Sequence, residues 1–273
     1  MARHKILTFA VMYFFQAWTL GVDSKMVHLL QPGLSSSGNL DMVPKSVDDM
    51  YEGCIKKMGK KVKEYLQIET NTGGIFKQAW TKAETCASNK TNSVNNELPK
   101  LSYNHIRAIC AYTGGQPKIY QVFNKAVQTS RYEYTTSFQF HSLHFLLTDA
   151  IRILKLKQNT CHTTYRRTKM EFSGKVGIKI RFGFFASSSL DKGINTLFGD
   201  KTCFEIKTCF GADLKSFPKL GNHEKEVLIP PYEVFIVTAV LKKENDKNLW
   251  CDVVYTLKSI TKPQSNLNCK LFR

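Results

Sequence analysis

Glu224-Lys225-Glu226-Val227-Leu228-Ile229-Pro230-Pro231 is the stretch on which the reading of this chain turns. Two carboxylates at i and i+2 lead into an apolar run. On a strand, residues i and i+2 project from one face. The pattern therefore predicts two acids side by side at a sheet edge, with Val227 and Ile229 packed beneath. Such a pair can divide labour, one acid stabilising a cation while the other handles a proton. A lone Glu-x-Glu is more often a solvated polar face. Its weight here comes from what precedes it.

Tyr165-Arg166-Arg167-Thr168 lies upstream, followed by Arg181-Phe182-Gly183-Phe184-Phe185-Ala186-Ser187-Ser188-Ser189-Leu190. Asp48-Asp49-Met50-Tyr51-Glu52-Gly53-Cys54 stands near the start. Phe140-His141-Ser142-Leu143-His144-Phe145-Leu146-Leu147 occupies the middle, and Thr208-Cys209-Phe210-Gly211 precedes the acids. In this order and spacing the motifs resemble the vertebrate ecto-ADP-ribosyltransferases, the arginine-directed mono-transferase family. The resemblance runs from about Asp48 to Cys269.

The resemblance implies an α+β ADP-ribosyltransferase fold. A helical N-terminal part would pack on a two-sheet β core, with the NAD cleft between the sheets. It implies NAD as substrate, a protein arginine as acceptor, and no metal. Glu226 would hydrogen-bond the ribose 2′-hydroxyl and stabilise the positive charge that develops on that ribose. Glu224 would receive the acceptor guanidinium, which is always protonated and so needs a carboxylate partner. Arg166 would hold the pyrophosphate and the nicotinamide ribose, a task suited to a planar fork of donors. Ser187 would bond the ribose or orient Glu226. Phe198 would stack on nicotinamide, although Leu197-Phe198-Gly199 reads equally well as a core aromatic. Arg167 stands where the family usually has glycine, and its side chain would either crowd the nicotinamide pocket or point outward. The same likeness pairs Cys54 with Cys269 and Cys161 with Cys209. His141 and His144, in an apolar helix, read as packing residues.

Two other activities fit the same residues. One is NAD glycohydrolysis, with water as acceptor. The other is an inactive basic binding protein on the same fold, since a fold does not guarantee its chemistry.

The chain opens with a basic stretch, Met1 to Lys5, then apolar residues from Ile6 to Val22. That reads as a secretory signal over residues 1–22, with the transferase domain following over 23–273. An uncleaved anchor is the alternative, but the stretch is short against the roughly 20 apolar residues of a spanning helix. The C-terminal end, Asn266 to Arg273, shows no hydrophobic lipid-anchor tail. The expectation is a secreted protein with no membrane span in the mature chain. Eight cysteines suit that compartment. Cys110, in Ile109-Cys110-Ala111-Tyr112, reads as a buried thiol on an apolar helix face, while Cys203 and Cys251 are a further candidate pair. No Cys-x-x-Cys or His-x3-His spacing suggests zinc. Asn89-Lys90-Thr91 is a glycan acceptor. The net charge of +17 predicts attraction to polyanions, with Lys56, Lys57, Lys60, Lys61 and Lys63 the densest run. No nucleic-acid motif, Rossmann fingerprint or glycine-rich phosphate loop is present.

Residues 46–155 carry helical spacing. Ser46 reads as an N-cap with Asp48 and Asp49 in the first turn, ahead of Val47, Met50, Cys54, Ile55, Met58, Val62 and Tyr65. Further helices centre on 76–83, 103–112, 120–127 and 142–154, with a polar break at 89–97. Over 156–273 the period becomes two, in Val176, Ile178 and Ile180, in 203–208, in 234–237 and in 250–257. Helices followed by strands argue for an α+β chain.

Overall fold

The computed structural model describes residues 37–92, 101–194, 196–219 and 221–273. The apolar segment read as a signal over 1–22 lies outside the described residues. After the short strand β1 (Ser37–Asn39) come the helices α1 (Ile55–Thr72), α2 (Gly74–Lys82), α3 (Glu84–Asn92), α4 (Tyr103–Tyr112), α5 (Ile119–Thr129) and α6 (His141–Lys155). The strands follow: β2 (His162–Thr168), β3 (Glu171–Ser173), β4 (Lys179–Ile180), β5 (Ala186–Ser189), β6 (Thr202–Thr208), β7 (Ala212–Asp213), β8 (Glu226–Ile229), β9 (Phe235–Lys242) and β10 (Val253–Ser259). The helical and β halves fall where the change of periodicity put them.

The main sheet runs β4-β9-β10-β6-β2-β5-β8-β7, while β1 pairs with β3 apart from it. The two expected sheets are therefore joined edge to edge. The join is narrow, because β2 and β5 meet at one backbone pair, Tyr165 opposite Ser189. To one side β2 is laddered to β6 over seven residues; to the other β5 is laddered to β8 over four.

Helix α6 is the hub of the helical half. Leu143, Leu147, Ala150, Ile151 and Leu154 recur at helical spacing and are all buried. Helices α1 and α4 pack on α6, which also touches β7. Its N-terminus has no side-chain cap from its own segment. Glu69 of α1 supplies one across space, accepting the Ser142 N–H at 3.2 Å and the Ser142 hydroxyl. A carboxylate there satisfies end-of-helix donors and complements the helix dipole. Helix α4 is capped locally, with the Ser102 Oγ accepting from the His105 N–H at 3.3 Å.

Three expectations are corrected. Helix α1 begins at Ile55, not after Ser46. Ser46, Asp48 and Asp49 make tertiary contacts instead. Ser46 donates to the Gly183 carbonyl at 2.7 Å. Asp48 forms a fully buried ion pair with Arg181 at 2.7 Å and also accepts the N–H groups of Asn266 and Leu267. Asp49 accepts from the Tyr134 hydroxyl and from the Cys269 N–H. The tertiary partners outcompete a helix start that the local sequence favoured. Second, Cys110 is not a free thiol but bonds Cys86, tying α3 to α4. Third, α3 runs through Asn89 to Asn92 into the expected break, and Val176 is an exposed turn residue rather than part of a strand. The bridges Cys54–Cys269, Cys161–Cys209 and Cys203–Cys251 all form.

Burial raises the Glu69 carboxyl to about 7, against the opposing pull of its bonds to Ser142 and His141. Burial likewise raises Asp49 to about 6. Between the unfolded value of 4.5 and about 7, folded Glu69 therefore holds a proton that the unfolded chain has released. Glu69's own contribution to stability must fall as pH rises through that window, while His141 and His144, lowered by burial to about 4 and about 3, act in the opposite direction below 6.5. The urea midpoint of the wild type relative to that of Glu69→Gln should therefore fall between pH 5 and 7.5. A difference that stays constant with pH would remove Glu69 as the source of such a dependence.

Candidate active site

The narrow join between β2 and β5 is where the sequence-singled residues meet. Leu190 N–H donates to the Lys225 carbonyl at 3.1 Å and Leu214 N–H to the Glu226 carbonyl at 2.9 Å. By the alternation of an antiparallel ladder, Ser187 and Ser189 then turn their backbone groups toward β2. Ser189 finds Tyr165 there. Two residues along, β2 has drawn away. The Ser187 carbonyl instead accepts the Arg166 guanidinium at 2.7 Å. By the same alternation the backbone groups of Arg167 face this opening.

The three serines of β5 are all buried, and each hydroxyl has its own partner. Ser187 donates to Glu226 Oε1 at 2.7 Å, Ser188 to the Val227 carbonyl at 3.1 Å and Ser189 to the Glu224 carbonyl at 2.7 Å. Buried hydroxyls need such partners, which explains a polar run inside a sheet. The run thus locks β5 to β8 and aims one serine at one acid.

Glu226 opens β8, opposite Ser189. Glu224 does not share that strand, as the sequence pattern had implied. Lys225 takes φ of 46°, a left-handed turn conformation, so Glu224 lies in the turn ahead of β8. Nor is there an apolar face beneath an exposed one, because Glu226, Val227, Leu228 and Ile229 are all buried. The strand sits between two neighbours and has no solvated side. Lys225 bonds Asp191 at 3.1 Å, holding the turn against the segment after β5.

Arg166, Ser187 and Glu226 are 4%, 3% and 2% exposed. The Arg166 guanidinium stands over the Phe184 ring at 5.7 Å. Burial pulls it down to about 10, partly offset by Tyr112, so it stays charged at neutral pH. Tyr112 donates to the Phe185 carbonyl at 2.6 Å, and burial raises its hydroxyl. Asn124 of α5 donates to both the Tyr112 oxygen and the Phe185 carbonyl. Its Oδ1 is buried with no hydrogen-bond partner among the described residues. A cleft of about 930 Å³ reaches Arg166 from the side of α5 and the N-terminal segment, walled also by Phe182, Phe184, Tyr120, Asn124 and Phe138; Ser187 and Glu226 do not line it.

Phe198 is not brought to this group. It ends a 3-10 turn over Thr196–Phe198 and is 1% exposed, with no ring face open to a ligand. Arg167 points away from the opening, its guanidinium 4.7 Å over the Trp250 ring. His144 is a packing residue, bonded to Tyr51 and to the Val47 carbonyl, and burial lowers it to about 3. Sequence reading missed Tyr112 and Asn124. Their positions on α4 and α5 look like ordinary amphipathic helix, and only the packing turns them toward β5. Among the described residues no cluster of His, Cys, Asp and Glu is arranged to hold a metal ion.

The protein family described as NAD:arginine ADP-ribosyltransferase matches residues 40–261. The chain belongs to this family. It is 37% identical to the erythroblast NAD(P)(+)--arginine ADP-ribosyltransferase of Gallus gallus, over 73% of this chain and 67% of that protein. It is 34% identical to T-cell ecto-ADP-ribosyltransferase 1 of Mus musculus, over 87% and 79%. Among solved structures it is similar to a variant of the eukaryotic mono-ADP-ribosyltransferase ART2.2 in complex with NAD. The TM-score there is 0.69 at 33% identity, covering 86% of this chain and 99% of that one.

The Arg166 guanidinium serves the Ser187 carbonyl, so its loss strands a buried acceptor. Arg166→Met should cost roughly 1–3 kcal/mol of stability, the cost of an unsatisfied buried group. Chemical denaturation measures it. Wild-type stability in the variant would show that the guanidinium does not hold the join.

Proposed function

We propose that this protein transfers ADP-ribose from NAD to arginine side chains of proteins, releasing nicotinamide. The observation that carries the reading is the Ser187–Glu226 hydrogen bond beside Arg166, where the sheet opens. The chain's own groups suit the substrate. Arg166 is a charged fork beside the cleft, suited to phosphate and ribose oxygens. The unpartnered Asn124 Oδ1 is an acceptor waiting for a hydroxyl or amine donor. The Arg167 backbone, facing the opening, suits the nicotinamide amide.

Nicotinamide leaves NAD as a neutral molecule, so no general acid is needed to expel it. Positive charge grows on the ribose, as in glycoside hydrolysis. Glu226 is the carboxylate placed to stabilise that charge in the transition state more than in the ground state. Ser187 fixes one of its oxygens and so its orientation. Glu224, in the turn outside β8, receives the acceptor guanidinium and takes its proton as attack proceeds. Phe198, covered as it is, contributes packing.

The domain comprises 23–273 after a signal over 1–22. Four disulfides and relatives named as ecto-enzymes support an extracellular, secreted protein. No helix among the described residues is long and apolar enough to cross a membrane. Asn89 is exposed on α3, accessible to a glycan. Lys56, Lys57, Lys60 and Lys63 are exposed along α1 and supply the polyanion attraction.

Glu226→Gln should abolish both transfer and NAD hydrolysis, by about 10²–10³ in rate, with NAD affinity nearly kept. Labelled NAD, with and without an arginine donor, measures both reactions; a third of the activity remaining would take Glu226 out of the chemistry. Glu224→Gln should instead collapse transfer to arginine while NAD hydrolysis persists. Equal loss of both would give Glu224 a shared or structural role, and no loss of either would make it a solvated turn residue.

A further inference from the structure

Trp250 lies in the loop between β9 and β10, anchored by the Cys203–Cys251 bridge in a small apolar cluster of its own. Two cations flank its indole. The Arg167 guanidinium is 4.7 Å from the ring centre and Lys192 Nζ is 5.3 Å from it. Tyr165 meets the same ring edge-on at 6.0 Å. Neither cation forms an ion pair among the described residues, while Lys225, nearby in the fold, is taken up by Asp191. Arg167 donates to the Trp250 carbonyl at 3.2 Å, and its Nε is buried without a partner among the described residues. Asp200 acts on it only at longer range.

This platform is laced to the Glu224 turn. Tyr165 pairs with Ser189, whose hydroxyl donates to the Glu224 carbonyl. Asp191, next to Lys192, bonds Lys225, next to Glu224. The cations on Trp250 therefore stand on the segments that flank the Glu224 turn, Lys192 next to the residue that holds it and Arg167 two residues along β2 from the pairing. A protein of net charge +17 repels a cationic acceptor. Carboxylates beside the acceptor arginine relieve that repulsion and give Arg167 and Lys192 a charged partner.

We propose that Trp250, Arg167 and Lys192 form an anion subsite, and that its occupant is a carboxylate flanking the acceptor arginine. The proposal rests on the transferase reading above and adds the class of acceptor, an arginine in an acidic segment. A phosphate of the dinucleotide shares the anion's chemistry and is the other source to be separated.

Two peptides of equal length separate them, one with glutamates around a single arginine and one with glutamines. With NAD, the acidic peptide should show a kcat/KM about tenfold higher, falling with added salt as exposed charge contacts do. Lys192 is exposed, so Lys192→Glu tests the subsite without disturbing the core. It should abolish or invert the preference. Equal kcat/KM for both peptides with the wild-type protein overturns the subsite and leaves the transferase reading standing. Labelling of neither peptide overturns both. A Lys192→Glu protein with a raised KM for NAD and an unchanged peptide ratio assigns the anion to the dinucleotide and overturns the acceptor assignment.

Discussion

The hydrogen bond from the Arg166 guanidinium to the Ser187 carbonyl organises the β half of this protein. A ladder of backbone bonds would close the sheet between β2 and β5. A single backbone pair does so instead, and a side chain takes over where it ends. That exchange has two consequences. The strands part, leaving backbone groups unladdered between two halves of one sheet. The group that holds them is a charged fork with donors to spare for a ligand. A join made by ordinary ladder bonds would be stronger and would offer no site.

Keeping that arrangement in register falls to contacts far from it in sequence. Arg181 is buried with Asp48 and also donates to the carbonyls of Met42, Val43 and Gln264. Breaking such a buried pair typically costs about 3–5 kcal/mol, because an uncompensated charge remains. Gly183 follows two residues later at φ of 68°, where a Cβ would lie 2.6 Å from Val43. Only glycine allows the chain to pass under the N-terminal segment at that place. Asp49 and the Cys54–Cys269 bridge draw the two ends of the domain together. The segment entering β5 is thereby fixed from the far side, and Ser187 with it.

The site is polar but buried. Glu226 and Arg166 are nearly inaccessible, Glu226 accepting from the Ser187 hydroxyl and Arg166 donating to the Ser187 carbonyl. In a low-dielectric setting a carboxylate acts more strongly on a developing cation than it would in water. Glu224 is half-buried in its turn, with its Oε1 buried, and the turn is tied by the Ser189 hydroxyl and by the exposed Lys225–Asp191 pair. Glu226 is thus held within a strand and Glu224 in the turn at its edge.

The sequence by itself determined the class of fold and its helical and β halves, because periodicity is a local property of the chain, and the order of its motifs singled out Arg166, Ser187, Glu224 and Glu226 as the candidates. It also carried three of the four disulfides as expected pairs. It did not determine that Glu-x-Glu would span a turn, since the left-handed Lys225 leaves no mark in composition. It misplaced the start of α1, because Ser46, Asp48 and Asp49 make good caps locally and better partners for Gly183, Arg181 and Cys269 across the fold. It read Cys110 as a thiol, because the approach of α3 to α4 is set by packing. Tyr112 and Asn124 meet the Phe185 carbonyl beside β5, and Phe198 is covered elsewhere, for the same reason. Which side chains face a cleft depends on how helices rest on a sheet, and that is decided by burial and hydrogen-bond satisfaction between residues distant in sequence.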